Sequence, residues 1–299
     1  MARAWRRVDG VLPLDKPVGM SSNAALQSVR RMFRAEKAGH AGTLDPLASG
    51  LLPVLFGQAA RFSGWLLDSD KSYLASVQLG VTTDTADAEG KVLETRAVDV
   101  DIAQIDATLA RFRGAIEQVP PMYSALKRAG RPLYEMARRG LSVERPARRI
   151  RIERLDRLAF SGTRLDFEVT CSKGAYIRTL AEDIGRVLGC GAHLAGLRRI
   201  ATGNFTIEQA ASMDLLAGLD DEARAAWLRP VDELLAGLPE IELEALEAHR
   251  FAQGQGLARG VAAGQNYRVY AVGRVFLGVG TGEQGGRLQP LRLISVQGR

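Results

Sequence analysis

Apolar residues recur along the chain with two different periods, and each period predicts one type of element. Spacings of three and four residues predict amphipathic helices over residues 21–33, 102–116 and 176–189. Strict alternation predicts half-buried strands in KSYLASVQLGV, which begins at Lys71, and in RLDFEVTCSKG, which begins at Arg164. The continuous apolar run LLPVLF predicts a short buried strand.

The mixture of alternating strands and helices favours an α+β fold class with a mixed, mainly antiparallel sheet and flanking helices. An acidic helical tract over residues 207–235 leads into GLPEIELE, which has the composition of a linker. Beyond it, YRVYAV, VFLGVGTG and LQPLRLISV are short strands separated by glycines, and they predict a small C-terminal β-barrel. We therefore expect two domains, over residues 1–235 and 239–299.

Length and composition agree with this organisation. The 299 residues are 46% apolar and 25% charged, an ordinary globular balance, and they fit one large domain plus a small one. No apolar run approaches the roughly 20 residues that span a bilayer. No apolar segment typical of a signal peptide follows the basic start of the chain. We expect a cytoplasmic protein that does not enter a membrane.

The residues that usually hold metals or cofactors are scarce. Two cysteines are too few for a disulfide framework, and the three histidines lie far apart without metal-binding spacing. Neither a phosphate-binding loop motif nor a dinucleotide fingerprint occurs in the sequence. We expect no metal and no cofactor.

The net charge of +6 is unevenly distributed. Residues 127–157 contain eleven Lys/Arg and four Asp/Glu, whereas residues 207–250 contain three Arg and eleven Asp/Glu. Such a polarised chain can steer a polyanion to its basic side. The alternative is that both stretches are simply solvated surfaces.

A single carboxylate in GHAGTLDPL (39–47) is the first candidate reacting group. Gly39 and Gly42 permit unusual backbone dihedrals and the close approach of a ligand. Pro46 disfavours a helical conformation at Asp45, so a loop presents the carboxylate. An ordinary surface turn has the same local composition.

Three more stretches contain candidate residues. Arg178, at the start of a predicted helix, is a planar cation suited to holding the Asp45 carboxylate in its ionised form; a surface arginine is the alternative. Tyr73 lies on a strand face, where it can stack on a base or belong to the core. The segment QVPPMYSALKRAGRPLYEMARRG (118–140) alternates basic residues with turn formers, typical of an insertion that orders on RNA or of a charged surface helix.

Together these stretches resemble one family, the tRNA pseudouridine-55 synthases of the TruB family. The resemblance is carried in order along residues 8–205 by LDKPVGMSSN, GHAGTLDPLASGLLPVLFGQAAR, KSY, TDTADAEG, VPPMYSALKRAGRPLYEMARRG, CSKGAYIRTLAEDIG and GAHLAGLRR. The GHAGTLDPLASG block is the most specific part. The last 60 residues resemble the small RNA-binding PUA barrel.

The resemblance implies a pseudouridine synthase domain over 1–235, with a basic RNA-gripping insertion at about 120–157, and a PUA-like domain over 239–299. It implies that a uridine at position 55 of the tRNA T-arm is flipped out and isomerised, with Asp45 as the catalytic residue. Whether the carboxylate attacks the ribose, adds to the uracil or removes a ribose proton stays open. The residues it implies for substrate binding are His40, Tyr73, Tyr176, Arg178 and Leu197. The residues it implies as RNA contacts are Lys16, Asp87, Lys127, Arg128 and Arg131.

Two alternatives use the same groove. One is a non-catalytic tRNA-binding module that assists RNA folding, a role that can also coexist with catalysis. The other is the related RNA-guided synthase subunit, which works with guide RNA and partner proteins. The compact chain without a long basic tail favours a stand-alone enzyme. We expect tRNA as its partner, a monomer and no obligatory protein partner.

Overall fold

The computed structural model describes residues 4–124, 127–128, 131–137, 140–141 and 143–295, without the side chains of 127–128, 131–132 and 134. The helices are α1 (Ser22–Met32), α2 (Ser63–Asp68), α3 (Ile102–Arg111), α4 (Leu133–Ala137), α5 (Ile177–Leu188), α6 (Met213–Gly218), α7 (Asp221–Ala225) and α8 (Ala245–Ala252), with 3₁₀ turns at Gly57–Phe62, Ile207–Gln209 and Val231–Leu235. The strands are β1 (Gly10–Lys16), β2 (Ala38–His40), β3 (Ala48–Phe56), β4 (Lys71–Leu79), β5 (Val81–Thr83), β6 (Val92–Thr95), β7 (Gly114–Gln118), β8 (Lys127–Arg128), β9 (Arg131–Pro132), β10 (Arg148–Ser161), β11 (Arg164–Cys171), β12 (Ala192–Thr202), β13 (Phe205–Thr206), β14 (Ala211–Ser212), β15 (Glu240–Leu243), β16 (Leu257–Ala258), β17 (Asn266–Ala271), β18 (Val275–Glu283) and β19 (Arg287–Leu293).

Among the described residues, ten strands form one mixed sheet. Its main path runs β14-β1-β3-β12-β4-β11-β10-β7, while β2 pairs with β3 and β13 with β12. The pairs β1–β14 and β3–β12 are parallel, and the other pairs are antiparallel. The predicted α+β class with a mixed, mainly antiparallel sheet is confirmed.

The number of buried faces explains why some strands are continuously apolar and others alternate in polarity. On β3, Leu52 and Val54 pack in the cluster with α1, whereas Leu51 and Leu55 pack in a second cluster with Phe62. A strand covered on both faces needs apolar residues at every position, which accounts for LLPVLF. On β4 and β11, alternate residues face α3 and α5, so those strands alternate in polarity.

Two predicted boundaries were wrong. The helix expected over 102–116 ends at Arg111, and Ile116 lies on β7. Gly114 has φ +88°, a left-handed conformation that interrupts a helix, so the apolar spacing continues into a strand only by coincidence. The insertion expected over about 120–157 is also shorter, because β10 joins the main sheet from Arg148 onward. We call the connection between β7 and β10 the 119–147 segment.

The C-terminal strands form a second sheet, in the order β15-β17-β18-β19-β16. The expected linker GLPEIELE is in part a strand, since Glu240–Leu243 forms β15 and pairs in parallel with β17. This sheet packs against the larger part of the molecule through Phe276, whose ring centroid is 5.7 Å from that of Phe62. The Tyr270 hydroxyl also donates to Asp232 Oδ2 at 2.7 Å. Throughout the described ranges, no helix has the length and apolarity needed to cross a bilayer.

Candidate active site

Asp45 lies on the loop between β2 and β3, which we call the Asp45 loop (residues 41–47). The first residue of α1 and the turn between β1 and α1 hold this loop. The Ser22 hydroxyl accepts from the Leu44 amide and donates to the Leu44 carbonyl, both at 2.8 Å. The Gly19 amide donates to the Pro46 carbonyl at 2.8 Å. The residues on each side of Asp45 are therefore fixed to a separate element, which limits the positions that the carboxylate can reach.

Arg178 lies in the first turn of α5 and pairs with Asp45. Its Nε is 3.0 Å from Asp45 Oδ2, which confirms the expected pairing. The Arg178 side chain is only 6% exposed, whereas that of Asp45 is 43% exposed. The guanidinium is therefore a fixed internal group, and the carboxylate is the member of the pair that a ligand can touch.

The other guanidinium nitrogens of Arg178 are also occupied. Nη1 lies 3.5 Å from Asp87 Oδ2 and donates to the Thr85 carbonyl at 3.3 Å. Nη2 donates to the Tyr123 carbonyl at 2.7 Å. Because all three nitrogens are held, Arg178 has little freedom to leave Asp45.

The loop between β5 and β6 holds Asp87. Its Oδ1 accepts from the Thr85 hydroxyl at 2.6 Å and from the Glu89 amide at 3.1 Å. Its other oxygen faces Arg178. Asp87 is 4% exposed, so this carboxylate acts inside the protein.

Burial raises the pKa of Asp45 above its ordinary value, and the charge of Asp87 adds to the rise. The guanidinium of Arg178 opposes it, as we expected, but the loss of hydration is the larger effect. The net effect is a raised pKa, although Arg178 still favours the ionised form of Asp45. A half-exposed carboxylate with reduced hydration and a fixed cationic partner is suited to act as a nucleophile or a base.

Asp45 opens onto a cleft of about 350 Å³, within the size range of small-ligand sites. Leu197 of β12 and Tyr73 of β4 line it beside the Asp45 loop and the start of α5. The sheet order brings these residues together, because β12 lies between β3 and β4. Larger clefts near Trp5 and near Arg7 contain none of the predicted site residues, and a further larger cleft near Leu158 contains only Leu197 of them.

A buried arginine that the sequence analysis did not single out connects the cleft to the Asp45 loop. Arg199 is 1% exposed, and it donates to the Leu51 carbonyl at 2.7 Å and to the Gly42 carbonyl at 2.9 Å. Burial raises the pKa of Tyr73, and the neighbouring Arg199 opposes the rise. The available signal was its position two residues after Leu197 on the same strand, which places both side chains on one face.

Tyr176 also lines the cleft, and its backbone is held by a second residue that the sequence analysis missed. Gln118 Oε1 accepts from the Tyr176 amide at 2.7 Å, and Gln118 Nε2 donates to the Tyr176 carbonyl at 3.0 Å. Burial raises the pKa of the Tyr176 hydroxyl. A glutamine before two prolines carries no signal of such a contact in the sequence.

Two residues expected to contact RNA are buried instead. Lys16 is 0% exposed, and its ammonium donates to the carbonyls of Pro17 at 2.8 Å and Met20 at 2.7 Å. Burial lowers the pKa of Lys16 to about 8. Asp87 faces Arg178 as described above. Both residues therefore support loops of the site, because their charged groups are already engaged inside the protein.

The remaining predicted residues are His40 and the basic residues of the 119–147 segment. His40 ends β2, where burial lowers its pKa, and it is not among the residues that line the cleft. Its buried Nδ1 has no hydrogen-bond partner within the described residues. The side chains of Lys127, Arg128 and Arg131 lie outside the described part of the chain.

Comparison with family models covers most of the chain. Residues 30–177 match the model described as TruB family pseudouridylate synthase (N terminal domain). Residues 178–236 match the tRNA pseudouridylate synthase B C-terminal domain, and residues 239–294 match Pseudouridine synthase II TruB, C-terminal.

Individual proteins are similar over nearly the whole length. The tRNA pseudouridine synthase B of Dechloromonas aromatica is 53% identical over 98% of both chains. That of Burkholderia mallei is 54% identical over 97% of this chain and 98% of its own. A solved structure of a Cbf5-Nop10-Gar1 complex matches with a TM-score of 0.73 and 25% identity, covering 96% of this chain and 84% of the matched chain. The chain belongs to the TruB family of pseudouridine synthases.

Proposed function

We propose that this protein isomerises a uridine of the tRNA T-arm, at tRNA position 55, to pseudouridine. The observation that carries the proposal is the 3.0 Å contact between Asp45 Oδ2 and the buried Nε of Arg178 at the wall of the cleft. The family and its curated relatives supply the reaction type and the tRNA substrate.

The reaction breaks the N1–C1′ glycosidic bond, rotates the uracil and joins its C5 to the same C1′. The hydrogen lost from C5 is balanced by the one gained at N1, and no electrons are exchanged. Such an isomerisation needs a reacting group, an electrostatic partner and walls that retain the detached base. Asp45 supplies the first and Arg178 the second. Attack at the ribose, addition to the uracil and removal of a ribose proton are all compatible with a carboxylate at this place.

The uracil is held between Tyr73 and Leu197, with Tyr176 closing a further side. Tyr73 and Leu197 come from neighbouring strands, so their spacing depends on the sheet and not on mobile loops. Aromatic and apolar faces retain a flat base by stacking and by exclusion of water. Retention matters because the uracil is not bonded to the ribose after the N1–C1′ bond breaks and before the C5–C1′ bond forms.

The target uridine must leave its stacked position, at a cost of a few kcal/mol. We propose that His40 occupies the vacated space, because it lies one residue before the Asp45 loop. The basic side chains of the 119–147 segment, with Lys127, Arg128 and Arg131 among them, grip the phosphates. This contact should weaken with added salt.

We propose that residues 1–235 form the synthase domain and residues 239–299 a PUA-like RNA-binding domain. The PUA-like domain is supported by the five-stranded sheet that starts at Glu240 and by the separate apolar core around Phe251. We further propose that the protein acts in the cytoplasm, as a monomer and without a guide RNA or a protein partner.

The test compares wild type, Asp45→Asn and Asp99→Asn on an isolated T-arm hairpin, without guide RNA. Pseudouridine is mapped chemically, and hairpin binding is measured separately. Asp99 is exposed, so its substitution controls for the loss of one negative charge. We expect modification by wild type and Asp99→Asn, and binding without modification by Asp45→Asn. Modification by Asp45→Asn would exclude Asp45 as the reacting group, and an inactive wild type that gains activity with a guide RNA would favour the RNA-guided alternative.

A further inference from the structure

The stretch from Gln118 to Tyr123, at the junction of β7 and the 119–147 segment, contacts the active site from two directions. Gln118, the last residue of β7, holds the backbone of Tyr176 through both atoms of its side-chain amide. Five residues later, the Tyr123 carbonyl accepts from Arg178 Nη2 at 2.7 Å. The same short stretch therefore fixes a wall of the cleft and the partner of Asp45.

The Gln118 contact requires an amide. Its oxygen accepts from the Tyr176 amide while its nitrogen donates to the Tyr176 carbonyl, so one planar group pairs with both backbone groups of one residue. Gln118 is 3% exposed, so water cannot readily replace either bond. A carboxylate of the same size can accept but cannot donate.

Tyr176 is the residue from which α5 starts. It precedes Ile177, the first residue of the helix, and no side chain caps this end. Its carbonyl also accepts from the Leu180 amide at 3.0 Å. Because Gln118 fixes the backbone on both sides of the Tyr176 α-carbon, it sets the direction in which α5 begins, and Arg178 follows two residues later.

We propose that Gln118 is a positioning residue for the isomerisation, which sets Tyr176 and Arg178 against Asp45. This inference rests on the proposed function. Gln118 itself does not line the cleft, so its loss slows the reaction without removing a contact to RNA.

The test uses Gln118→Glu on the full-length protein, with single-turnover rates and hairpin affinity measured from acid to neutral pH. At neutral pH the glutamate lacks the donor, and we expect a rate loss on the order of 10- to 100-fold with the dissociation constant within twofold. As the pH falls, the protonated glutamate regains an O–H donor. The rate of the variant divided by that of wild type should therefore rise.

Gln104→Glu is the matched control. Gln104 also holds a backbone amide through its side chain, in the capping box of α3, but it is exposed and remote from the cleft. The single-turnover rate of Gln104→Glu should equal that of wild type. A Gln118→Glu rate within twofold of wild type, a pH-independent rate ratio, or a loss of affinity as large as the loss of rate would each overturn the inference.

A second measurement does not depend on the substrate. In Gln118→Leu, hydrogen–deuterium exchange should accelerate in the peptide that contains Tyr176 and Arg178, while the C-terminal half of α5 stays protected. Unchanged exchange at Tyr176 would overturn the inference even if the hairpin is the wrong RNA. An inactive wild type, in contrast, counts against the proposed function alone.

Discussion

Ser22 pairs with both backbone groups of Leu44, the residue before the reacting carboxylate, through one hydroxyl and two bonds of 2.8 Å. Ser22 is the first residue of α1 and is 2% exposed. A helix on one side of the sheet thus holds the loop that presents Asp45. The neighbouring Ser21 has a different task, since its hydroxyl caps α1 by accepting from the Ala24 amide at 3.1 Å.

Substitution of Ser22 by alanine should reduce both stability and rate. Two buried backbone groups lose their partner, which costs about 1–3 kcal/mol of unfolding free energy. The loosened loop should also lower kcat. Ser21→Ala is the matched control, with a loss of about 1 kcal/mol from the cap and an unchanged kcat. Denaturant unfolding and turnover on the hairpin measure the two effects, and equal kcat values for the two variants would contradict the assigned role of Ser22.

Arg178→Lys keeps the positive charge but loses the planar guanidinium with its several fixed hydrogen-bond donors. A lysine ammonium cannot reach Asp45, Asp87 and the Tyr123 carbonyl from one position. We expect kcat to fall on the order of 10²-fold, with affinity for the hairpin nearly unchanged. Arg186→Lys, at an exposed position of the same helix, should leave kcat unaltered. A kcat for Arg178→Lys close to wild type would show that positive charge alone suffices.

The acid side of the pH–rate profile should report Asp45. The reaction needs its carboxylate form, so activity is lost as the pH falls through its pKa, which burial has raised above the ordinary value. The charge of Asp87 contributes to that rise. Asp87→Asn should therefore shift the acid limb of kcat/KM to lower pH, although Arg178 loses a partner and the maximal rate falls. Asp99→Asn should leave the acid limb of the profile at the wild-type pH. A shift of the limb to higher pH in Asp87→Asn would contradict its assignment to Asp45.

Gly42 cannot accept a side chain without moving Arg199. It has φ +88°, and an added Cβ would lie 3.2 Å from Arg199 Nη1. Gly42→Ala should cost about 1–2 kcal/mol of stability from the backbone alone and lower kcat, because Arg199 holds the Gly42 carbonyl. At Gly39 an added Cβ meets no atom within 4 Å, so Gly39→Ala is the control. Equal thermal unfolding temperatures and rates for the two variants would refute this prediction.

Arg148 should contact an RNA phosphate beside the cleft. It pairs with Gln118 in the sheet register and is exposed. Burial raises the pKa of Tyr176, and the charge of Arg148 opposes that rise. In the part of the chain that the structure describes, Arg148 forms no ion pair. For hairpin binding, the logarithm of the association constant falls linearly with the logarithm of the salt concentration. Arg148→Ala should make this slope shallower by about 1. Arg164→Ala removes an arginine that already pairs with Asp166 at 3.1 Å, and its slope should match wild type.

The sequence by itself determined the elements whose local pattern agrees with their packing. Helix α5 follows its apolar period and ends at Leu188, with Gly189 as its C-cap. Strands β4 and β11 alternate because one face is covered. The local pattern gave a wrong prediction at Ile116. The helical spacing of apolar residues continues across Gly114, but Ile116 lies on a strand. The motif around Asp45 and the arginine at 178 were sufficient to predict the pair, because both belong to long specific stretches.

Only the tertiary structure decided which residues surround that pair. Asp87, Gln118 and Arg199 carry ordinary polar side chains in the sequence, and each becomes a support of the site through a partner distant along the chain. Those partnerships depend on the placement of β12 between β3 and β4 and on the fold of the β5–β6 loop. The net rise in the pKa of Asp45 was likewise invisible in the sequence, because hydration is lost only when the surrounding elements assemble.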